Sequence, residues 1–326
     1  MRKILSSFVI WTHADDRPTI GDMRRGLVAF LIAGWLSLPA QAAEAYREIP
    51  FDFLHNQIVL RGTVDGHGPY SFILDTGTHG ATIDIGLARE LDLPIHLHGI
   101  SEGVGEGRSL RSHTTFVQLR LGEMVVNHLE AAVLDLSGIS RTLGRPLHGV
   151  LGFGFLGSSV TQIDYFQRRI RFFAESPTPS KEPEDSQKVI SFPMQFRSKS
   201  VLPVLEECYV NGMRMAVTLD TGSSLGLVLF PRAVEWLGLG ELARTGLPIE
   251  AAGYVGDARL TKGWVKSVVL NTIDLGAVEV AYAGRGFSND EDPNRRGGSV
   301  GNAILQDFVL TLDYRARRVT LQRVAE

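Results

Sequence analysis

The sequence predicts an all-β protein built as two lobes from one internal duplication. Three observations carry that expectation. Asp-Thr-Gly occurs twice, at Asp75-Thr76-Gly77 and Asp220-Thr221-Gly222, nearly half the 326-residue chain apart. The segment from Gly152 to Tyr165, GFGFLGSSVTQIDY, aligns without a gap on Gly301 to Tyr314, GNAILQDFVLTLDY. The match continues through Arg168-Arg169-Ile170 and Arg317-Arg318-Val319. Finally, the apolar runs are short and punctuated by 35 glycines, the pattern of strands joined by turns.

The elements follow in chain order. Arg24 and Arg25 precede an apolar stretch from Gly26 to Leu38, and Ala40-Gln41-Ala42 offers small residues for cleavage. Those three parts predict a signal peptide over residues 1–42 and an exported, periplasmic or secreted, product. The strongly apolar stretch is shorter than the ~20 residues of a membrane span, so no stable span is expected after cleavage. Residues 1–22 put polar and charged residues ahead of the signal, as a non-native extension would, with Met23 as the start.

Each lobe then opens with a hairpin. Val64-Asp65-Gly66 and Val210-Asn211-Gly212 are Asp-Gly and Asn-Gly turns, which tolerate the positive φ of two-residue hairpin loops. The second strand of each hairpin delivers the Asp-Thr-Gly box. A helix is expected over 85–93 in the first lobe and over 231–239 in the second, where Pro231 suits the first helical position. Strands are expected over 116–121 and 124–136 around Gly122-Glu123, and over 265–275 and 278–283 around Gly276. Asp164-Tyr165 and Asp313-Tyr314 mark closing hairpins, with both Asp residues read as structural turn formers. The arginine pairs 168–169 and 317–318 are expected on solvated strand edges, where charge discourages pairing. SPTPSKEPEDSQ, from Ser176 to Gln187, has linker composition. The expected lobes are 46–175 and 189–326, joined by a linker over 176–188.

Composition excludes several classes. With 44% hydrophobic and 21% charged residues the chain reads as globular, and a net charge of −3 gives no reason to expect a nucleic-acid partner. Cys208 is alone and cannot pair within the chain. An exported protein without disulfides fits a bacterial periplasm. All nine histidines precede residue 149, and His96, His98 and His113 fit no common zinc spacing. No metal and no cofactor is expected.

The chemistry suggested by the two boxes is water activation by Asp75 and Asp220. Two facing carboxylates cannot both ionise cheaply, so the pair keeps one proton. The charged member can take a proton from water, and the protonated member can polarise a carbonyl. Gly77 and Gly222 allow a sharp turn and a close approach. The Thr76 and Thr221 hydroxyls are expected to lock the two loops across the lobe interface. Thr78 and Ser223 are expected to donate to the outer carboxylate oxygens, favouring an acidic to mildly acidic optimum.

On these residues the chain resembles the pepsin/retropepsin superfamily of aspartic peptidases, most closely the bacterial exported retropepsin-like, or gag-polyprotein-type, proteases. The resemblance rests on the hairpin glycine, the Asp-Thr-Gly-Ser/Thr box, and the later elements Val150-Leu151-Gly152 and Ser299-Val300-Gly301. It implies a bilobal acid-protease fold with two β-barrel-like lobes, and Gly152 and Gly301 beside the active-site loops. It also implies an aspartic endopeptidase acting as a monomer on a peptide or protein in extended conformation. Gly103, Val104 and Gly105 in one lobe, and Gly253, Tyr254, Val255 and Gly256 in the other, are candidate flaps, because glycine-rich hairpins supply the mobility of a lid. Two alternatives stay open: a catalytically silent module of this fold that captures an extended peptide, and lobes that pair with other chains.

Overall fold

The computed structural model describes residues 46–101, 109–177, 189–196, 201–253, 256–284 and 293–323. The expected signal peptide, most of the expected linker, and the flap candidates Gly103, Val104, Gly105, Tyr254 and Val255 lie outside the described residues. The first half contains β1 (Tyr46–Pro50), β2 (Asp52–Leu54), β3 (Gln57–Val64), β4 (His67–Leu74), β5 (Ala81–Asp84), α1 (Ile85–Glu90) and β6 (His96–Ser101). It continues with β7 (Ser109–Leu121), β8 (Met124–Leu134), α2 (Ser137–Leu143), β9 (Gly149–Leu151), α3 (Phe153–Leu156), β10 (Val160–Asp164) and β11 (Arg169–Phe173). The second half contains β12 (Val189–Pro193), β13 (Val204–Val210), β14 (Met213–Leu219), β15 (Leu227–Leu229), α4 (Pro231–Trp236), α5 (Gly240–Thr245) and β16 (Leu247–Gly253). It ends with β17 (Gly256–Leu270), β18 (Ile273–Ala283), α6 (Pro293–Arg296), β19 (Gly298–Val300), α7 (Asn302–Leu305), β20 (Phe308–Asp313) and β21 (Arg318–Arg323).

These strands form two closed barrels and one shared sheet. In the first barrel the order β3-β4-β9-β5-β8-β7 returns to β3 through a β3–β7 pairing. In the second, β13-β14-β19-β15-β18-β17 returns to β13 in the same way. Closure leaves the barrels without the unpaired edges that invite aggregation. Beneath them, β1-β11-β10-β20-β21-β12 form a six-stranded sheet drawn from both halves. Its centre is the antiparallel pair β10–β20, so the duplicated segments meet at the pseudo-two-fold axis. One apolar cluster runs through both barrels and this sheet, including Leu60, Phe72, Leu156, Val217, Leu229 and Leu305, all nearly inaccessible.

Local chemistry explains the hairpins. Asp65 and Gly66 have φ of 49° and 84°, and Asn211 and Gly212 have 49° and 82°, in turns that reverse the chain toward each Asp-Thr-Gly box. Helix α1 starts where the Asp84 carboxylate accepts the Gly86 and Leu87 N–H groups, an N-cap that satisfies two otherwise orphaned donors.

Several local expectations are corrected. The two expected helices are shorter, ending at Glu90 and Trp236, and α2 and α5 follow strands or turns without being foreseen. The second-lobe turn lies at Asn271-Thr272, between the paired residues Leu270 and Ile273, and not at Gly276. Gly276, with φ of 69°, sits inside β18 at a register shift that accommodates one extra residue, Leu275. The arginine pairs are not on edges either: β11 and β21 are interior strands of the shared sheet. Arg168 and Arg317 take the positive-φ turn position and cover the Phe53 and Phe196 rings at 4.5 and 5.4 Å. The aliphatic stem and planar cation shield an aromatic face there while remaining hydrated.

Candidate active site

Asp75 and Asp220 sit just past the ends of β4 and β14. The Asp75 N–H donates to Leu151 O, and the Asp220 N–H to Val300 O, both at 2.9 Å. Each loop is therefore hung from the short strand that precedes Gly152 or Gly301. The loops are fastened to one another through their threonines. Thr76 N–H donates to Thr221 Oγ1 and Thr221 N–H to Thr76 Oγ1, both at 3.0 Å. The same hydroxyls donate onward, Thr76 to Leu219 O at 2.8 Å and Thr221 to Leu74 O at 2.9 Å. Both threonines are fully buried, so each of these four bonds satisfies groups with no access to water.

This latch brings the two carboxyl groups together. Asp75 Oδ1 accepts the Gly77 N–H at 2.7 Å, and Asp220 Oδ1 accepts the Gly222 N–H at 3.1 Å. A Cβ on Gly77 would lie 2.6 Å from Asp220 Oδ1 and 3.0 Å from Asp75 Oδ1. A Cβ on Gly222 would lie 2.3 Å from the Asp75 carboxyl carbon. The absence of a side chain at these two positions is what lets each carboxyl reach the opposite loop. Burial pushes the Asp220 carboxyl well above the usual carboxylate range. Asp75 adds to the shift by its charge and by a hydrogen bond to Asp220, whereas Arg296 and the Gly222 N–H oppose it. The pair holds a proton that a lone exposed carboxylate would have lost.

Gly152 and Gly301 support the loops from behind. A Cβ on Gly152 would strike Thr78 Cγ2 at 2.4 Å and Gly80 O at 2.5 Å; on Gly301 it would strike Leu225 O at 2.5 Å. Their neighbours bond the loops directly, with Phe153 N–H donating to Thr78 O and Asn302 N–H to Ser223 O. The described bonds of Thr78 and Ser223 are mainly structural. Their N–H groups donate to the Asp75 and Asp220 carbonyls, and the Ser223 hydroxyl accepts from Leu225 N–H at 3.4 Å. Toward the carboxyls themselves, the Gly77 and Gly222 N–H groups donate. Of the flap candidates, Gly253 and Gly256 face each other at the end of the β16–β17 hairpin.

Sequence reasoning missed a second layer of polar contacts. Asn302 Nδ2 donates to Thr221 O at 2.6 Å and to Asn56 O at 2.8 Å, while its Oδ1 accepts from the Tyr165 hydroxyl at 2.7 Å. Gln57 donates to Gly222 O at 2.8 Å and Asn56 to Ser224 O at 3.0 Å, each from the opposite lobe. The signal was present in the repeat, where Asn302 stands opposite Phe153. Phe153 instead packs edge-on against Tyr314, 5.1 Å between ring centres. Asp164 and Asp313 cap turns, accepting from Gln167 and Ala316 N–H at 2.8 Å. His96 and His113 are cross-strand partners with rings 5.4 Å apart, and no cluster of three His, Cys, Asp or Glu suited to a metal occurs among the described residues. No described helix is long and apolar enough to cross a membrane.

Residues 60–155 match the family described as aspartyl protease. The fold matches that of an aspartic proteinase from Irpex lacteus with a TM-score of 0.50, covering 86% of this chain and 98% of that one at 11% identity. No curated protein matches the sequence.

Proposed function

We propose that the chain is an aspartic endopeptidase of the aspartic peptidase superfamily, whose Asp75 and Asp220 jointly activate water against a peptide bond, a reading supported by the family match over residues 60–155 and by the shared fold. The observation that carries this reading is the reciprocal Thr76–Thr221 latch, which holds two hydrogen-bonded carboxyl groups at the junction of the lobes. With one proton on the pair, the charged carboxylate takes a proton from a water molecule held between them. The resulting hydroxide attacks the amide carbon while the protonated carboxyl donates to the carbonyl oxygen. The tetrahedral diol collapses as its proton passes through the pair to the departing nitrogen, leaving an acid and an amine. No covalent enzyme intermediate forms.

A preformed loop pair raises the rate because the carboxyls need no reorganisation as charge moves. The raised Asp220 carboxyl keeps the singly protonated state populated toward neutral pH, beyond what an isolated carboxylate allows. The substrate is an extended peptide or protein segment, read largely through its backbone in the cleft between the barrels. Both Asp loops come from one chain, which favours a monomer, and the expected signal peptide directs it to the periplasm or the exterior.

The test is hydrolysis of a mixed peptide library from acid to neutral pH by the protein lacking residues 1–42. The parent should cleave, and Asp75→Asn and Asp220→Asn should each lose at least about a thousandfold in rate. Full activity in either variant would falsify the paired mechanism. A folded parent that binds peptides and cleaves none would support the silent binding module instead.

A further inference from the structure

The lobes differ in chemistry on the strand faces that lead to the Asp pair. Residues two apart on a strand share a face, so Ile73 lies on the face that leads to Asp75, and Thr218 on the one that leads to Asp220. Ile73 is paired with Val150, and Thr218 with Ser299. In the first lobe Ile73 and Val150 pack among Val59, Leu134, Leu136 and Leu147, and the one hydroxyl paired with Val150 is that of Thr82 on β5. In the second lobe the same positions are hydroxyls, and Arg296 joins them from α6. Its Nε donates to Thr218 Oγ1 at 3.0 Å and its guanidinium lies over the Phe230 ring at 5.4 Å. Arg296 is half-buried and His79 is exposed. Arg296 is also close enough for its charge to depress the pKa of both Asp220 and His79, although burial is the larger influence on each. His79 belongs to the first lobe, four residues after Asp75. Arg296 of the second lobe thus stands on the face that leads to Asp220, and its charge reaches the His79 imidazole of the first lobe.

We propose that Arg296, with His79 of the first lobe within reach of its charge, forms a subsite for a carboxylate that the substrate carries immediately beside the scissile bond. The proposal rests on the aspartic endopeptidase reading and names the substrate class for it. A guanidinium presents its donors in a rigid fork that matches a carboxylate, and the Thr218 bond to Nε together with the Phe230 ring fixes the plane of that fork. The singly protonated Asp pair carries a negative charge, which repels an acidic group placed next to it. Arg296 reverses that local sign. Without the cation, an acidic flanking residue should change from favoured to disfavoured. Two sources supply the carboxylate: an Asp or Glu side chain, or the C-terminal carboxylate of a substrate cut near its end.

The test compares peptides that differ only in Glu or Gln at the residue adjoining the cleaved bond, each with a free or amidated C-terminus. Binding is read by fluorescence anisotropy in Asp75→Asn, which leaves recognition separate from hydrolysis, and kcat/KM is read in the parent. The expected result is Kd and kcat/KM favouring the carboxylate-bearing peptide by roughly tenfold or more. Arg296→Gln should abolish or invert the preference, and Arg296→Lys should retain part of it. Preference for Glu over Gln identifies the side chain as the source, and preference for the free over the amidated terminus identifies the chain end. Equal binding of all four peptides, absence of binding, or a preference that survives Arg296→Gln in a protein with unchanged near-ultraviolet circular dichroism overturns the subsite. Carboxylate-selective binding with no cleavage by the parent retains the subsite and overturns the endopeptidase reading.

Discussion

Replacing Thr76 with Val removes one hydroxyl and keeps the side chain's shape, and the structure sets the cost. Thr76 Oγ1 accepts from Thr221 N–H at 3.0 Å and donates to Leu219 O at 2.8 Å, at a residue only 1% exposed. Two bonds vanish, and a buried N–H loses a partner that water cannot replace. A net hydrogen bond is worth ~1 kcal/mol, and an unsatisfied buried donor costs ~1–3 kcal/mol. The expected destabilisation is therefore about 2–4 kcal/mol, read from urea unfolding of the chain lacking residues 1–42. At roughly 2–4 °C per kcal/mol for a chain of this size, Tm should fall by about 4–16 °C. Thr76→Ser keeps the hydroxyl and should lose under about 1.5 kcal/mol, chiefly the packing of one methyl group. Thr221→Val should resemble Thr76→Val, and the double variant should cost less than the two singles together, because both hydroxyls serve one latch. The reasoning is refuted if Thr76→Val stays within about 0.5 kcal/mol of the parent, or if the two singles add without coupling.

Other outcomes follow from the same geometry. Because burial and Asp75 raise the Asp220 pKa in the folded state, the fold binds a proton there more tightly than the unfolded chain does. Stability from this group is complete below the ordinary carboxylate range and is lost as pH rises through the raised pKa. Asp220→Asn should therefore flatten the decline of Tm with rising pH; an unchanged slope would contradict the assignment. Gly301→Ala, whose Cβ would lie 2.5 Å from Leu225 O, should cost about 2–4 kcal/mol and displace the Asp220 loop, measurable as lost peptide hydrolysis beyond the loss of folded protein. Cys208 is buried and its thiol is pushed up to about 12, so a thiol reagent at neutral pH should label it only after denaturation. Rapid labelling of the folded protein would show that β13 opens more readily than its packing implies.

Much of the architecture was legible because the duplication leaves matched residues at matched places. The Asp-Gly and Asn-Gly turns declare their hairpins through the positive φ those residues accept, and Pro231 announces a helix start. The Gly276 error shows the limit of this logic. A glycine with positive φ serves a bulge as well as a turn, and only pairing with the neighbouring strand tells the two apart. The arginine pairs mislead for a similar reason: charge at a strand end says nothing about whether a third strand lies alongside.

The sequence by itself determined the two Asp-Thr-Gly loops, their equivalence, and the strand-rich duplicated chain that presents them. These depend on local spacing and turn chemistry, which neighbouring residues dictate. Only the tertiary structure decided which loop holds which. Asn302 reaches Asn56 from 246 positions away, and Arg296 meets Thr218 across 78. Such contacts arise from barrel closure and from the shared sheet between the lobes, where the partners are chosen by packing and by the need to satisfy buried polar groups. The duplication supplied two similar halves, and their polar differences beside Asp220 became visible once the fold set those halves face to face.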